Sequence, residues 1–135
     1  MNDLYIIVPA DVSLADLANV LRHRWNVEGS PTQPRVDIDR YSRAYLTELD
    51  MADAASDEMF LDEPDLPERL RSEFGDFRVF SLRYSDRTLA DEMSRAIASS
   101  DLAKRPLLLD ADGRFLSPSS YLAQFSSGKG PSDGS

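Results

Sequence analysis

Apolar residues near the start of the chain change from an uninterrupted run to a helical spacing. Residues 4–8 form a short, β-rich apolar run that ends at Pro9, as a buried strand does. Ser13 and Asp16 then occupy the two positions of a capping box. The residues after Ser13 place apolar side chains on one helical face, at Leu14, Leu17, Ala18, Leu21 and Trp25. The pattern predicts a strand followed by an amphipathic helix.

Farther along, polar and apolar positions alternate as they do in half-buried strands. Residues 29–34 contain two prolines and a glycine, which predicts a loop. Residues 35–40 alternate between apolar and acidic side chains, and Arg43–Leu49 has the alternation of a hairpin partner. Phe77–Tyr84 is rich in aromatic and β-branched residues, which favour strands. Its alternation slips in the middle, which indicates either a bulge or burial on both faces.

Further helices are indicated by apolar spacing and by residues typical of helix ends. Leu66, Leu70 and Phe74 repeat every four residues, and Gly75 follows where a helix would end. Asp86 can cap a helix in which Leu89, Ala90, Met93, Ala96 and Ile97 face inward. We expect Asp91 to pair with Arg95 on the outer side of that helix.

The C-terminal part predicts a hairpin and one more helix. Residues 106–109 and 114–116 flank the turn-rich sequence 110–113, as the two strands of a hairpin would. Ser117 and Pro118 are suited to begin a short helix, whose inward face would carry Tyr121, Leu122 and Phe125.

The predicted elements follow the order β-α-β-β-α-β-α-β-β-α. Hairpins dominate this order, so we expect an α+β fold in which helices pack on a mostly antiparallel sheet. A ferredoxin-like core is one instance of that class, with a β-α-β-β-α-β core and a C-terminal hairpin and short helix added. Residues 1–125 would form a single domain, and the Ser/Gly-rich residues 126–135 a disordered tail.

Composition limits the function more than it identifies it. The chain contains no cysteine, which excludes disulfides, thiolate nucleophiles and Cys-ligated metals. No apolar run approaches the ~20 residues of a membrane span, and no signal-peptide pattern occurs, so we expect a cytoplasmic protein. A net charge of −9 and scattered basic residues argue against direct nucleic-acid binding.

Candidate catalytic residues each have a simpler structural interpretation. His23, the only histidine, falls on the polar side of the first helix without an orienting partner. Asp37 and Asp39 share one face of a predicted strand, on the solvent side, and Asp110 and Asp112 belong to a turn. We therefore expect no enzyme activity, no metal site and no cofactor. An enzyme that uses these carboxylates is a hypothesis that requires two of them to converge in one cleft.

The negative charge is concentrated in one segment. Residues 50–65 contain seven acidic residues and no Lys or Arg, whereas the rest of the chain has 17 acidic and 15 basic residues. Asp65 and Glu68 have a local role at a helix start. The remaining acidic residues surround apolar ones, and interfaces combine such anchors with steering charge. A solvated loop is the alternative. We predict that a partner contacts Asp57, Glu58, Met59, Phe60, Asp62 and Glu63.

The whole profile is similar to that of bacterial immunity proteins, which are small, acidic and cysteine-poor and neutralise basic nuclease toxins. A nuclease site is positively charged because its substrate is negative, so an acidic surface complements it. A preference for Arg over Lys, 13 to 2, is consistent with a GC-rich bacterial source. We therefore expect an immunity or inhibitor protein with a basic partner. The alternative is a small-ligand-binding regulatory domain on a ferredoxin-like dimer, with a pocket and an exposed apolar sheet face. The oligomeric state stays open.

Overall fold

Alternating strands and amphipathic helices assemble around one sheet. The computed structural model describes residues 2–49, 65–111 and 114–126, in which four helices pack on seven antiparallel strands. This confirms the predicted α+β fold class. The elements are β1 (Asn2–Pro9), α1 (Leu14–Arg22), β2 (Val27–Ser30), β3 (Gln33–Asp37), β4 (Arg43–Leu49), α2 (Leu66–Phe74), β5 (Phe77–Tyr84), α3 (Arg87–Ala98), a 3-10 turn (Asp101–Lys104), β6 (Leu108–Ala111), β7 (Arg114–Leu116) and α4 (Pro118–Ser126). Apart from Ser126, the predicted tail lies outside the described residues.

The strand order is β2-β3-β4-β5-β1-β6-β7. The helix α1 connects β1 to the β2–β4 meander, and β1 and β4 run parallel with β5 between them. In the same way, α3 connects β5 to β6, with β1 between them. Both connections have the split β-α-β arrangement of ferredoxin-like cores. The sequence pattern alone would assign α2 as the second crossing helix, but α3 has that position because α2 packs on the other side of the sheet.

The first face of the sheet holds the main core, which α1, α3 and α4 cover. The capping box that begins α1 is formed, since Asp16 N donates to Ser13 Oγ at 3.2 Å and Ser13 N donates to Asp16 Oδ2 at 2.9 Å. The apolar faces of α1 and α3 then pack on alternate residues of the central strands. Buried residues of this core include Leu17, Leu21, Leu46, Phe80, Leu82, Met93, Ile97, Leu109 and Tyr121.

The helix α2 covers only part of the second face. Its Leu66 and Leu70 pack against Ile7, Val79 and Phe115 in a smaller apolar cluster. The helix ends at Gly75, as its sequence position predicts, with φ of 77° and ψ of −130°. The rest of this face is free of a helix among the described residues, and its side chains are polar.

The slip in the alternation of β5 reflects burial on both faces. Val79, Phe80, Ser81 and Leu82 are all buried. The pairing with β1 continues without interruption from Phe77 to Tyr84, so the strand contains no bulge.

The prediction of a loop over residues 29–34 was wrong. Of these residues only 31 and 32 form a turn, because β2 and β3 pair on either side of it, from Val27 opposite Val36 to Ser30 opposite Gln33. A short edge strand with a glycine has no apolar alternation to identify it. At Gly29, φ is +87° and an added Cβ would lie 2.4 Å from the carbonyl oxygen of Gln33, so only glycine fits.

Two further observations concern the helices. Asp91 forms an ion pair with Arg87, one turn before it, through Arg87 Nε and Asp91 Oδ1 at 2.9 Å, and its pairing with Arg95 stays a prediction. Trp25 is not on the helical face that the spacing predicted, because α1 ends at Arg22. It packs half-buried at the margin of the core, with the guanidinium of Arg24 4.8 Å above its ring centre.

Candidate functional site

The predicted partner-binding residues Asp57, Glu58, Met59, Phe60, Asp62 and Glu63 lie outside the described residues. The elements that border them are described. Residue 49 ends β4 and residue 66 begins α2, and the side chains of Leu49 and Leu66 both belong to the apolar cluster on the second face. Asp65 is the N-cap residue of α2, and Glu68 lies in the first turn, as predicted. The described residues on both sides of the acidic segment, Leu49 and Leu66, therefore lie at the second face of the sheet.

Side chains on the second face become more polar with distance from α2. Strand residues two apart share a face, so residues of adjacent strands form rows across it. The row beside α2 is apolar, the next contains hydroxyl groups and the third contains charges. In order, the three rows are Leu49, Val79, Ile7 and Leu108; Thr47, Ser81 and Tyr5; and Tyr45, Arg83 and Asp3.

The two polar rows form an open cleft of about 290 Å³, which we call the sheet-face cleft. Ser81 lies at its floor with only 6% of its surface exposed. The two tyrosines lie on β1 and β4, on either side of β5, and both are half-buried. The sheet-face cleft is lined by these residues together with Gln33 of β3 and Leu49 at its edge; the full set is Asp3, Tyr5, Gln33, Tyr45, Thr47, Leu49, Ser81 and Arg83.

A fixed guanidinium is the main electrostatic feature of the sheet-face cleft. Arg83 Nε lies 3.4 Å from Asp3 Oδ1, and Ser81 Oγ donates a hydrogen bond to that same oxygen at 3.0 Å. Hydrogen bonding with Tyr45, followed by the charge of Asp3, raises the pKa of Arg83 above its usual value. Arg83 therefore has Asp3 as its ion-pair partner and Tyr45 as a neighbour, and 47% of its side chain stays exposed.

Other arginines are engaged more fully than Arg83. Arg78 contacts both carboxylate oxygens of Glu48, at 2.6 and 2.9 Å. Arg105 NH2 lies 2.5 Å from each carboxylate oxygen of Asp11, and this contact holds the pKa of Asp11 below its usual value. In both guanidinium groups NH2 therefore contacts a carboxylate, and Arg78 NH1 donates to the carbonyl oxygen of Val12, whereas Asp3 meets Arg83 at Nε.

The carboxylates considered for catalysis do not converge in the described part of the chain. Asp37, half-buried in β3, pairs with Arg35 at 2.6 Å and Arg43 at 3.6 Å. Asp39 is not on the strand with it, because β3 ends at Asp37. Its Oδ1 accepts hydrogen bonds from the backbone nitrogens of Tyr41 and Ser42, at 2.7 and 2.9 Å, and so shapes the turn between β3 and β4.

Among the candidate carboxylates that the structure describes, Asp110 is the buried one, at 7% exposure. It belongs to β6, which pairs with β7 as the predicted hairpin, and its Oδ2 accepts a hydrogen bond from Tyr5 N at 3.2 Å. The strands of Asp37 and Asp110 are four positions apart in the sheet, roughly 19 Å at the usual strand spacing. Asp112 lies outside the described residues.

His23 is exposed, as its helical position predicted, and lies just after α1. It lines an open groove of about 500 Å³ between α1 and α3. Arg24 and Arg95 are part of the same lining. All three basic residues lie near the C-terminal ends of these helices, where positive charge is favourable. Their position at the helix ends explains these basic residues, so they do not indicate a ligand-binding site.

Sequence reasoning missed the sheet-face cleft. Its only signal was the presence of polar residues, such as Ser81 and Arg83, inside strands that are otherwise apolar. The cleft depends on which strands are neighbours, and β1 and β5 are far apart in sequence. In the described ranges, no group of three acidic or histidine side chains could hold a metal ion, and no helix is long and apolar enough to cross a membrane.

Comparison of the chain with models of known protein families, with curated proteins and with solved structures gave no match.

Proposed function

We propose that the chain is a non-enzymatic protein-binding module of the bacterial cytoplasm that neutralises a basic, nuclease-like toxin. The contact would be made by Met59 and Phe60, surrounded by Asp57, Glu58, Asp62 and Glu63. In such an interface, the apolar pair would supply buried area and the carboxylates would steer the approach of a positively charged surface.

The observation that carries this proposal is the uneven distribution of charge. The described residues contain 16 acidic and 14 basic side chains, which nearly balance. Residues 50–64 contain six acidic side chains and no basic one. Solubility alone would not require that most of the excess charge be confined to one segment. Complementarity to one basic surface would require the charge to be concentrated in this way.

The position of the segment in the chain also supports the proposal. It connects β4 to α2, and both of these bordering elements contribute to the apolar cluster on the second face. Segments that join elements of a rigid scaffold are common positions for binding residues. The exposed part of the neighbouring sheet face is polar, so it can lie beside a hydrated interface.

A small-ligand-binding regulatory domain is the second candidate. A dimer through the sheet would require an apolar exposed face, whereas the outer row of the second face carries Tyr45, Arg83 and Asp3. The sheet-face cleft, however, favours ligand binding without such a dimer. The two candidates use different residues and can be tested separately.

A capture experiment tests the leading proposal. The protein is immobilised and exposed to lysate of its host at low and at high ionic strength, and captured proteins are identified by mass spectrometry. We expect a basic partner with nuclease activity, captured at low ionic strength and weakened by salt because salt screens exposed charges. Inhibition of that nuclease by the purified protein is the functional readout.

A charge-matched pair of variants makes the capture experiment specific. The test variant changes Asp57, Glu58, Asp62 and Glu63 to the corresponding amides. The control variant neutralises four exposed acidic residues in the described region, Glu68, Glu73, Asp76 and Asp101. Both variants have the same net charge, so only the position of the removed charge differs. Capture by the control and loss in the test variant would support the proposal, and equal capture by both would contradict it.

A further inference from the structure

The geometry of the sheet-face cleft points to a binding site for a small, singly charged aromatic carboxylate. We propose that Arg83 binds the carboxylate while the aromatic body lies between Tyr5 and Tyr45, above Ser81. This inference is independent of the acidic segment and of the partner proposed for it. It gives the ligand-binding candidate a site and a chemical class of ligand.

Arg83 is prepared to bind an oxyanion. A guanidinium has more N–H donors than the contacts with Asp3 and Tyr45 use, and its planar fork matches a carboxylate. The ion pair with Asp3 and the neighbouring Tyr45 restrict the guanidinium, which lowers the conformational entropy that is lost on binding. Nearly half of the side chain is exposed, which leaves it open to a ligand.

The walls of the cleft favour a flat body. The tyrosines lie on β1 and β4, which are two strand spacings or about 9.6 Å apart, and they stand in neighbouring rows, offset by about 6.8 Å along the strands. The two rings therefore lie diagonally across the cleft, and one aromatic ring placed over Ser81 can approach both. Ser81 lies in one row between Tyr5 and Thr47, and its short side chain leaves the floor low.

Charge balance favours a single negative charge over a phosphate dianion. Within the sheet-face cleft the charges are those of Arg83 and Asp3, which balance each other. A monoanion would share Arg83 with Asp3, whereas a dianion would place two further negative charges beside that carboxylate. The volume of about 290 Å³ also suits a ligand of about one ring with its substituent.

Three small probes test the three parts of this inference. Benzoate carries both the ring and the carboxylate, acetate lacks the ring, and benzamide lacks the charge. Each is titrated into the ¹⁵N-labelled full chain, in a buffer without carboxylate or phosphate, and backbone and Arg Nε–H shifts are followed by NMR. We expect benzoate to shift residues of β1, β4 and β5 around the cleft and to bind at least about tenfold more tightly than benzamide or acetate.

Variants assign the binding to Arg83. Arg83→Gln should weaken benzoate binding by at least about tenfold, since it removes a charge-assisted bond. Arg83→Lys should retain the fold and part of the affinity, which covers the case in which Arg83→Gln does not fold. Tyr45→Phe should weaken binding several-fold by releasing Arg83, whereas the control Arg24→Gln, in the groove between α1 and α3, should not change it.

Two results would overturn the inference. One is a set of benzoate shifts centred on His23, Arg24 and Arg95 instead of the sheet face, or on no defined surface. The other is equal affinity for benzoate and benzamide, or benzoate affinity unaffected by folded Arg83 variants. If the ligand-binding inference is wrong, the proposal of a toxin partner is unaffected, because that proposal is tested separately by capture with the charge-matched variants.

Discussion

Ser81 donates its hydroxyl hydrogen to Asp3 Oδ1 at 3.0 Å, which joins β5 to β1 on the outer half of the second sheet face. Ser81 is almost buried, so its hydroxyl depends on this acceptor more than an exposed serine would. The same carboxylate oxygen lies 3.4 Å from Arg83 Nε. One oxygen of Asp3 therefore both satisfies a buried donor and orients the guanidinium of the sheet-face cleft.

A double-mutant cycle measures this relationship. Asp3→Ala should lower the free energy of unfolding by about 1–3 kcal/mol, because it leaves the buried Ser81 hydroxyl without its acceptor. Asp3→Asn keeps an acceptor oxygen, and the ion pair that it removes is partly exposed, so its cost should stay below about 1 kcal/mol. Denaturant unfolding of Asp3→Ala, Ser81→Ala and the double variant should give a coupling of about 0.5–1.5 kcal/mol. Simple additivity would show that the bond does not stabilise the fold.

Two aromatic residues that the sequence pattern treats as equivalent should differ in their effects on stability. Phe80 has no exposed surface, so Phe80→Ala should cost about 3–5 kcal/mol by removing a large side chain from a packed core. Trp25→Ala should cost clearly less, because Trp25 is half-buried and its cation contact with Arg24 contributes only about 0.5–1 kcal/mol. Chemical denaturation of the two variants measures this difference. Equal losses would mean that Trp25 belongs to the core interior.

Gly75 should resist substitution for a backbone reason. Its φ of 77° with ψ of −130° lies in a region that residues other than glycine rarely adopt. An added Cβ would have nothing within 4 Å, so crowding is not the cause. Gly75→Ala should therefore destabilise the protein by about 1–3 kcal/mol. The control, Ser72→Ala on the exposed side of α2, should change stability by less than about 0.5 kcal/mol. An equal, small effect of both would contradict the strained conformation at Gly75.

Tyr121 should couple stability to alkaline pH. Burial raises its pKa from 10.0 to about 12, with a hydrogen bond to Ser94 as a smaller opposing influence. Between those two values the unfolded chain loses the phenolic proton and the folded chain keeps it, so stability should fall as pH rises from 10 to 12. Thermal unfolding should show a smaller loss over that range for Tyr121→Phe than for the unsubstituted protein. Parallel curves would mean that Tyr121 ionises equally easily in both states.

The sequence predicted the elements better than their arrangement. The capping box of Ser13 and Asp16 and the helix-ending Gly75 are local signals, and the structure has both. The edge strand β2 was missed because Val27–Ser30 is short, mostly exposed and contains a glycine. Periodicity also does not specify which strands are neighbours. The role of α3 as a crossing helix follows from long-range pairing of β1 with β5 and β6.

The two candidate sites also differ in whether the sequence alone could identify them. The acidic segment is a property of composition, so the sequence alone identifies it, and its role as a partner-binding surface stays a prediction. The sheet-face cleft is different, because Asp3, Tyr45 and Arg83 are separated by some forty residues each and meet only through strand register. Shifting the register of one of these strands by a single residue would move its side chain from this face to the opposite one.

The rate of association with the captured partner tests the central claim most directly. It should be measured against ionic strength for the unsubstituted protein, the variant with Asp57, Glu58, Asp62 and Glu63 changed to amides, and the charge-matched control. We expect the four-amide variant to associate about tenfold or more slowly at low ionic strength, because the steering charge is removed, and the three rates to converge at high ionic strength. The control should follow the unsubstituted protein. Identical salt dependence for the test variant and the control would contradict the claim that the acidic segment is the recognition surface.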